Sequence, residues 1–272
     1  MNVPETKPLS LEGVPRKTVR NKSPRRVVIA LVCGGLLIWL IGAVRAAREN
    51  ARCVTCEHHL KVLGLGLQAF DSVTGGLPPA HLCDEHGKPI HSWQSVAKPF
   101  LGYYNWRKAY SMKEPWNGLH NRTCGSYPDH NFQCPSVENR SGATIDYVAV
   151  VGPDTMWPGR ERVKLPSEAD GNRDTILLIE MPDSDYNCLE PRSPTVEEFL
   201  EKVKSPTGEG IRCIHTKGLA YVTVGGDVRW FPPDTDIETL RRLLTRDPNC
   251  RVVSLDKMMP LIEHWEDKGN SK

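Results

Sequence analysis

Residues 27–70 read VVIALVCGGLLIWLIGAVRAARENARCVTCEHHLKVLGLGLQAF, with no proline anywhere among them. Two patterns lie end to end in this stretch. Residues 27–44 carry no charge. As a helix rising 1.5 Å per residue they span about 27 Å, close to the hydrocarbon core of a bilayer. Further on, Cys56, Leu60, Leu63, Leu67 and Phe70 recur every three or four positions, the stripe of a helix with one buried face. The simplest reading is one long helix, its first half in a membrane and its second half packed on later strands. Thr74-Gly75-Gly76 and Pro78-Pro79 supply the stop. Gly64 and Gly66 each weaken a helix by roughly 1 kcal/mol, which close packing against a sheet would explain.

The flanks orient the apolar run. Arg16, Lys17, Arg20, Lys22, Arg25 and Arg26 precede it, and Arg45, Arg48 and Arg52 follow. Lys and Arg are retained on the cytoplasmic side. The expected organisation is a basic cytoplasmic tail (1–24), a transmembrane and extended helix (25–70), an extracytoplasmic domain (71–256) and a charged tail (257–272). A cleaved signal peptide is the rival reading, but Ala43-Val44-Arg45 is a poor cleavage site and the run is long for a signal. The lipid bilayer is thus an expected partner, through residues 27–44, at an inner membrane crossed once with the domain on the periplasmic side.

The net charge is only +2, and much of the basic excess sits in the N-terminal tail. A nucleic-acid partner needs a basic face on the folded part, so none is expected. The 22 Pro and 22 Gly imply many turns. Of nine cysteines, Cys33 lies in the apolar run. The other eight are Cys53, Cys56, Cys83, Cys124, Cys134, Cys188, Cys213 and Cys250. An even number outside the cytosol reads as a disulfide framework whose pairing the sequence leaves open.

Residues 146–151 (DYVAVV), 175–180 (TILLIE), 219–224 (LAYVTV) and 227–231 (DVRWF) read as strands, the last two joined at Gly225-Gly226 by a two-residue hairpin. Residues 236–244 (DIETLRRLL) read as a short helix capped by Asp236. The region 91–136 is loop-rich and aromatic, with Trp93, Tyr103, Tyr104, Trp106, Tyr110 and Trp116 as core or as a recognition surface. The fold class is therefore α+β, a long N-terminal helix packed on an antiparallel sheet.

Several segments resemble, in order, a bacterial family known as domain of unknown function 1559, whose members are commonly pilin-like at the N-terminus. They are AVRAAREN, CEHHLKVLGLGLQAFDSVTGGLPPAH, HSWQSVAKPFLGYYN, EPWN, FQCPS, DYVAVVGP, DGNRDTILLIE, HTKGLAYVTVGGDVRWF and DIETLRRLLTRDPNCRVV. Together they span roughly residues 43–253. The resemblance implies a pilin-like fold and a disulfide between Cys56 and Cys134, the positions of the family's two usual cysteines. The family's C-terminal signature is a His, nine residues, then Asp-Gly. Here His215 is followed after nine residues by Gly225-Gly226, with Asp227 one position late. The family's Asn-Asn pair is His58-His59. The Gly and Glu of a prepilin signal are replaced by Arg25-Arg26 running directly into Val27, so a prepilin peptidase has no recognisable site.

Chemistry-bearing constellations are weak. Cys53-Val54-Thr55-Cys56 sits mid-helix rather than at a helix N-terminus, which disfavours a redox role, and Glu57 stands where a c-type haem motif has His. A zinc site from Cys53, Cys56 and His59 is conceivable, but at about 100° per residue His58 and His59 point partly away from Cys56. His215 has no nucleophile motif beside it and is expected to bond backbone or pack near the hairpin. Asp170, Asp174 and Asp227 suit turns better than calcium, which takes six or more oxygens. Asn121-Arg-Thr and Asn139-Arg-Ser are glycosylation sequons, relevant only in a host with that machinery. The sequence leads to no catalytic residue, metal or cofactor, and to a non-enzymatic reading: a membrane-anchored, pilin-like protein with a structural or interaction role at the cell envelope, with an envelope protein as partner. The alternative is an extracytoplasmic cation- or small-ligand-binding domain.

Overall fold

Nothing in residues 24–74 interrupts a helix once Pro24 has set the first turn, where its missing N–H costs nothing. The computed structural model describes residues 24–125, 129–137, 144–167, 173–256 and 258–262, and in it helix α1 runs unbroken from Pro24 to Thr74. Its end is built locally. The Thr74 hydroxyl donates to the Phe70 carbonyl, and Gly75, at φ 79°, donates its N–H to Asp71. A residue in the left-handed region just past the last turn is the usual glycine stop.

The chain divides into two compact units between Ala46 and Ala47. In the first, apolar side chains stand bare, with Leu31, Ile38 and Trp39 each at least 70 % exposed. Among the described residues this is the one helix long and apolar enough to cross a membrane, and none of its most apolar stretch is buried inside the protein. A helix that is apolar all round and uncovered is compatible with a single-pass membrane anchor.

The second unit holds the other helices, α2 (Trp93–Ala97), α3 (Trp106–Ala109), α4 (Asn121–Cys124), α5 (Val196–Val203) and α6 (Ile237–Leu244). Its strands are β1 (His81–Cys83), β2 (Pro89–Ser92), β3 (Tyr147–Val148), β4 (Arg162–Val163), β5 (Ile176–Glu180), β6 (Leu219–Thr223), β7 (Val228–Phe231) and β8 (Val252–Val253). The main sheet has the order β3-β5-β6-β7, and all its pairings are antiparallel. β1 pairs with β2, and β4 with β8. The fold is α+β, as the sequence implies.

The stripe of α1 does what its spacing requires, since Cys56, Leu60, Leu63, Leu67 and Phe70 are all fully buried. Gly64 brings the helix onto the sheet: a Cβ there would stand 2.9 Å from Val222 on β6. Gly66 serves a different neighbour than expected. Its Cβ would lie 2.1 Å from Leu101 Cδ2 and 3.1 Å from the Phe100 carbonyl, at the turn after α2. Gly66→Ala would gain roughly 1 kcal/mol of helix propensity but must displace both contacts, so a net loss of about 1–2 kcal/mol is expected. A urea titration in which G66A matches or exceeds the parent would refute this.

Strand expectations hold with adjustments. Only Tyr147–Val148 of the 146–151 segment pair in the sheet, while Val151 leaves it to bridge Trp157 and Thr195. The β6–β7 hairpin has one loop residue more than expected. Gly226 N–H donates to Thr223 O and Thr223 N–H to Asp227 O, and Gly226 sits at φ 84°. That is a three-residue loop with glycine in the left-handed position. Asp236 caps α6 by accepting from Thr239 N–H at 2.7 Å, as expected. Trp93 packs on Trp157 and Phe132 at centroid distances of 5.1 and 5.8 Å, so this end of the aromatic stretch is core.

Candidate functional site

Glu49, Cys53 and Cys56 lie four and three residues apart on α1 and share one face of it. Opposite that face three other segments converge. Cys134 follows a 3-10 turn at His130–Phe132, Glu180 is the last residue of β5 in register with Tyr147, and His215 precedes β6, bridged to Gly218. His215 Nε2 lies 3.1 Å from Cys56 Sγ, 3.2 Å from Cys134 Sγ and 3.5 Å from Glu180 Oε1. The two sulfurs are 3.4 Å apart. All four residues are buried, and their donor atoms fall within 4.8 Å of one another. On its other side the ring meets Glu49 Oε1 at 2.8 Å, with Cys53 Sγ and Ser136 Oγ near 3.5 Å and 3.4 Å. Trp230 closes the ring edge-on, 5.3 Å away at 85°.

The electrostatics follow from burial and charge. Burial opposes the imidazolium, but the contacts with Cys134 and Glu180 outweigh it and push His215 up to about 11. Burial raises the Cys53 thiol. Glu180 Oε1 is fully buried and has no hydrogen-bond partner. Its other oxygen takes only a long bond from Ala220 N–H, at 3.4 Å. Leaving a carboxylate oxygen buried and unbonded is expensive, so the arrangement favours positive charge among these four side chains. Ser136 N–H, 3.5 Å from Cys134 Sγ, donates to that sulfur as well.

The other sequence candidates scatter. The expected disulfide framework is not shown, because no S–S bond joins cysteines among the described residues. Three of the others meet separate partners: Cys124 donates to the Ala109 carbonyl, Cys213 to that of Ile211, and Cys188 faces the Lys98 ammonium at 3.8 Å. Cys83 and Cys250 are half-buried. Cys56 and Cys134, paired by the resemblance, are brought together with their sulfurs 3.4 Å apart. His59, weighed as a zinc ligand with Cys53 and Cys56, turns instead to the Gln133 carbonyl at 3.1 Å, and burial lowers it. Its place is taken by His215, expected to bond backbone or pack near the hairpin, whose ring nitrogens meet side chains while its ring packs on Trp230 of β7. Asp174 and Asp227 both face the Arg229 guanidinium, at 2.9 and 3.7 Å, which fills the space a cation would need. Asp170 and Asn139 lie outside the described residues. Gly225 and Gly226 turn the hairpin, with Lys61 Nζ on the Gly226 carbonyl at 2.6 Å.

The aromatic region lines a cleft of about 410 Å³ with Lys98, Tyr103, Trp106 and Asp129 among its walls. Its charged groups are already engaged with one another, Lys98 Nζ lying 2.8 Å from Asp129 Oδ2. Glu180 is the site residue the sequence does not announce. Its one signal is a carboxylate closing the otherwise apolar run TILLI.

Searches of curated proteins and of solved structures each found no match. The family model described as protein of unknown function (DUF1559) matches residues 45–184, which include Cys56, Cys134 and Glu180. That is just over half of the 272 residues, and the chain belongs to this family.

Proposed function

We propose that this protein is a single-pass membrane protein whose folded domain stands outside the cytoplasm and does structural or interaction work at the envelope rather than catalysis. The observation that carries this reading is the bare apolar helix before the domain, none of whose most apolar stretch is covered by protein. The basic flank at Arg25 and Arg26 supports a cytoplasmic N-terminus. The non-catalytic part is supported by the burial of the Cys56, Cys134, Glu180 and His215 side chains, which leaves a substrate no access to them.

The test is mass spectrometry of the full chain extracted from membranes, with protease accessibility from the outer side. An intact chain beginning at Met1 or Asn2, resistant to alkaline wash and cut only from outside, is expected. Removing residues 27–44 should move the protein almost entirely to the soluble fraction, since about eighteen apolar residues supply the membrane affinity. A mature chain that starts near Arg45 and is recovered without membranes would sink the anchor. A start near Arg26 or Val27 would restore pilin-type processing.

A further inference from the structure

We infer that Cys56, Cys134, His215 and Glu180 form a structural binding site for one zinc-type divalent ion, with Glu49 orienting His215 from outside the coordination sphere. The geometry carries the argument. Four donor atoms around one zinc, with Zn–S near 2.3 Å and Zn–N or Zn–O near 2.0–2.2 Å, stand about 3.3–3.8 Å from one another when tetrahedral. Four of the six separations here are 3.1, 3.2, 3.4 and 3.5 Å, and the two between Glu180 and the sulfurs lie within 4.8 Å. The pairs around His215 and the two sulfurs need only open by a few tenths of an ångström to admit an ion.

The donor set is chemically apt. Thiolate and imidazole select zinc over magnesium or calcium, and four protein ligands with no open position mark a closed, structural site. Glu180 Oε1, fully buried, makes no hydrogen bond and has only a 3.5 Å charge contact with His215 Nε2, which is a second and independent pointer. A bound cation would give that oxygen a closer partner than this contact. The outer shell is also in place. A metal-bound histidine nearly always donates its other N–H to a carboxylate or carbonyl, and His215 Nδ1 is 2.8 Å from Glu49 Oε1. Ser136 N–H supports the Cys134 sulfur in the same way.

The ligands come from α1, the loop before β3, the end of β5 and the approach to β6. One ion would therefore fasten the long helix to three separate stretches of the sheet region. The site is independent of the anchor, because every ligand lies within the second compact unit.

The competing state is a Cys56–Cys134 disulfide, which would draw the sulfurs from 3.4 Å to about 2.05 Å and leave His215 between two carboxylates. The experiment separates the two. The full-length chain is purified in detergent, and its metal content and intact mass are measured. About one zinc per chain is expected, with both cysteines reduced and protected from alkylation until a chelator removes the ion. Refilling with Co2+ should give the thiolate-to-cobalt absorption of a tetrahedral site. C56S and H215A should lose the bound metal. In case they do not fold, Glu49→Gln touches only the outer shell and should weaken zinc binding about 10–100-fold in a chelator competition, and E180Q at least as much. A metal-free chain whose mass is short by the two hydrogens of a Cys56–Cys134 disulfide would overturn the proposal. So would zinc whose affinity is the same in E49Q and E180Q as in the parent. Neither result would bear on the membrane anchor.

Discussion

Replacing Arg162 with methionine should lower the stability of the folded domain by about 3–5 kcal/mol, the loss seen when one partner of a buried charged network is removed. Arg162 is fully buried on β4. Its guanidinium donates to the carbonyls of Leu77 and Ser254 at 2.9 Å each, to the carbonyl of Gly76 at 2.7 Å and to the Thr74 hydroxyl at 2.6 Å. The Thr74 carbonyl lies slightly farther, at 3.3 Å. These acceptors belong to the end of α1, the segment just past it, and the residue after β8. A helix leaves its last carbonyls without intrahelical partners, and a cation there also meets the negative end of the helix dipole. Methionine fills much of the same volume but satisfies none of these groups, and each buried acceptor left unbonded costs about 1–3 kcal/mol. In a domain of this size 1 kcal/mol moves the midpoint by about 2–4 °C, so a fall of roughly 10 °C in Tm is expected for the full chain in detergent. Arg162→Lys should fall between, because an ammonium keeps the charge but not the planar fork of donors. If R162M melts within 2 °C of the parent, this residue does not hold the three segments together.

How much of this was legible in the chain differs by feature, and the difference is one of range. The stripe from Cys56 to Phe70 is a local periodicity, and burial follows from it directly. The hairpin at Gly225-Gly226 and the Asp236 cap are local too. So is the capping box at the start of α5, where Thr195 and Glu198 bond each other's backbone, a Thr-x-x-Glu spacing open to inspection. The candidate site is not local. Its ligands are 159 residues apart between Cys56 and His215 and 78 between Cys56 and Cys134. Helical geometry correctly turns His59 away from Cys56, but says nothing about what meets that face from elsewhere. The resemblance paired Cys56 with Cys134 and marked His215 as a separate signature. Only the packing of α1 and the loop before β3 against the sheet brings His215 and Glu180 to that pair. Arg162 gave no sequence signal of burial and Glu180 only its place closing the run TILLI, because a charge in a strand is ordinarily solvated and only its tertiary partners make it otherwise.

Lys98 and Asp129 form a second case of buried charge, and Lys98→Met should cost about 3–5 kcal/mol while the double variant K98M/D129L recovers most of it. The pair is almost entirely shut from solvent, at 4 and 5 % side-chain exposure, with Nζ 2.8 Å from Asp129 Oδ2. That oxygen makes no well-aligned hydrogen bond, so the contact is chiefly one of charge. Around it, Lys98 Nζ stands over the Trp106 ring at 4.0 Å and the Tyr103 ring at 5.2 Å. The Tyr103 hydroxyl donates to Asp129 Oδ1. Burial first, and then the Asp129 charge, hold that phenol well above its usual range, so it stays a donor. Removing only the lysine leaves a carboxylate in an apolar cleft with one hydroxyl for company. Removing both charges leaves volume that methionine and leucine can fill, and apolar replacements of buried ion pairs are often neutral or stabilising. A double-mutant cycle by denaturant titration separates the cases. Strong coupling between the two positions is expected. If the single losses simply add, the pair contributes independently at each end and the cleft tolerates an unpaired carboxylate. If instead K98M is as stable as the parent, water reaches Asp129 and the pair is a surface contact in energetic terms, whatever its burial.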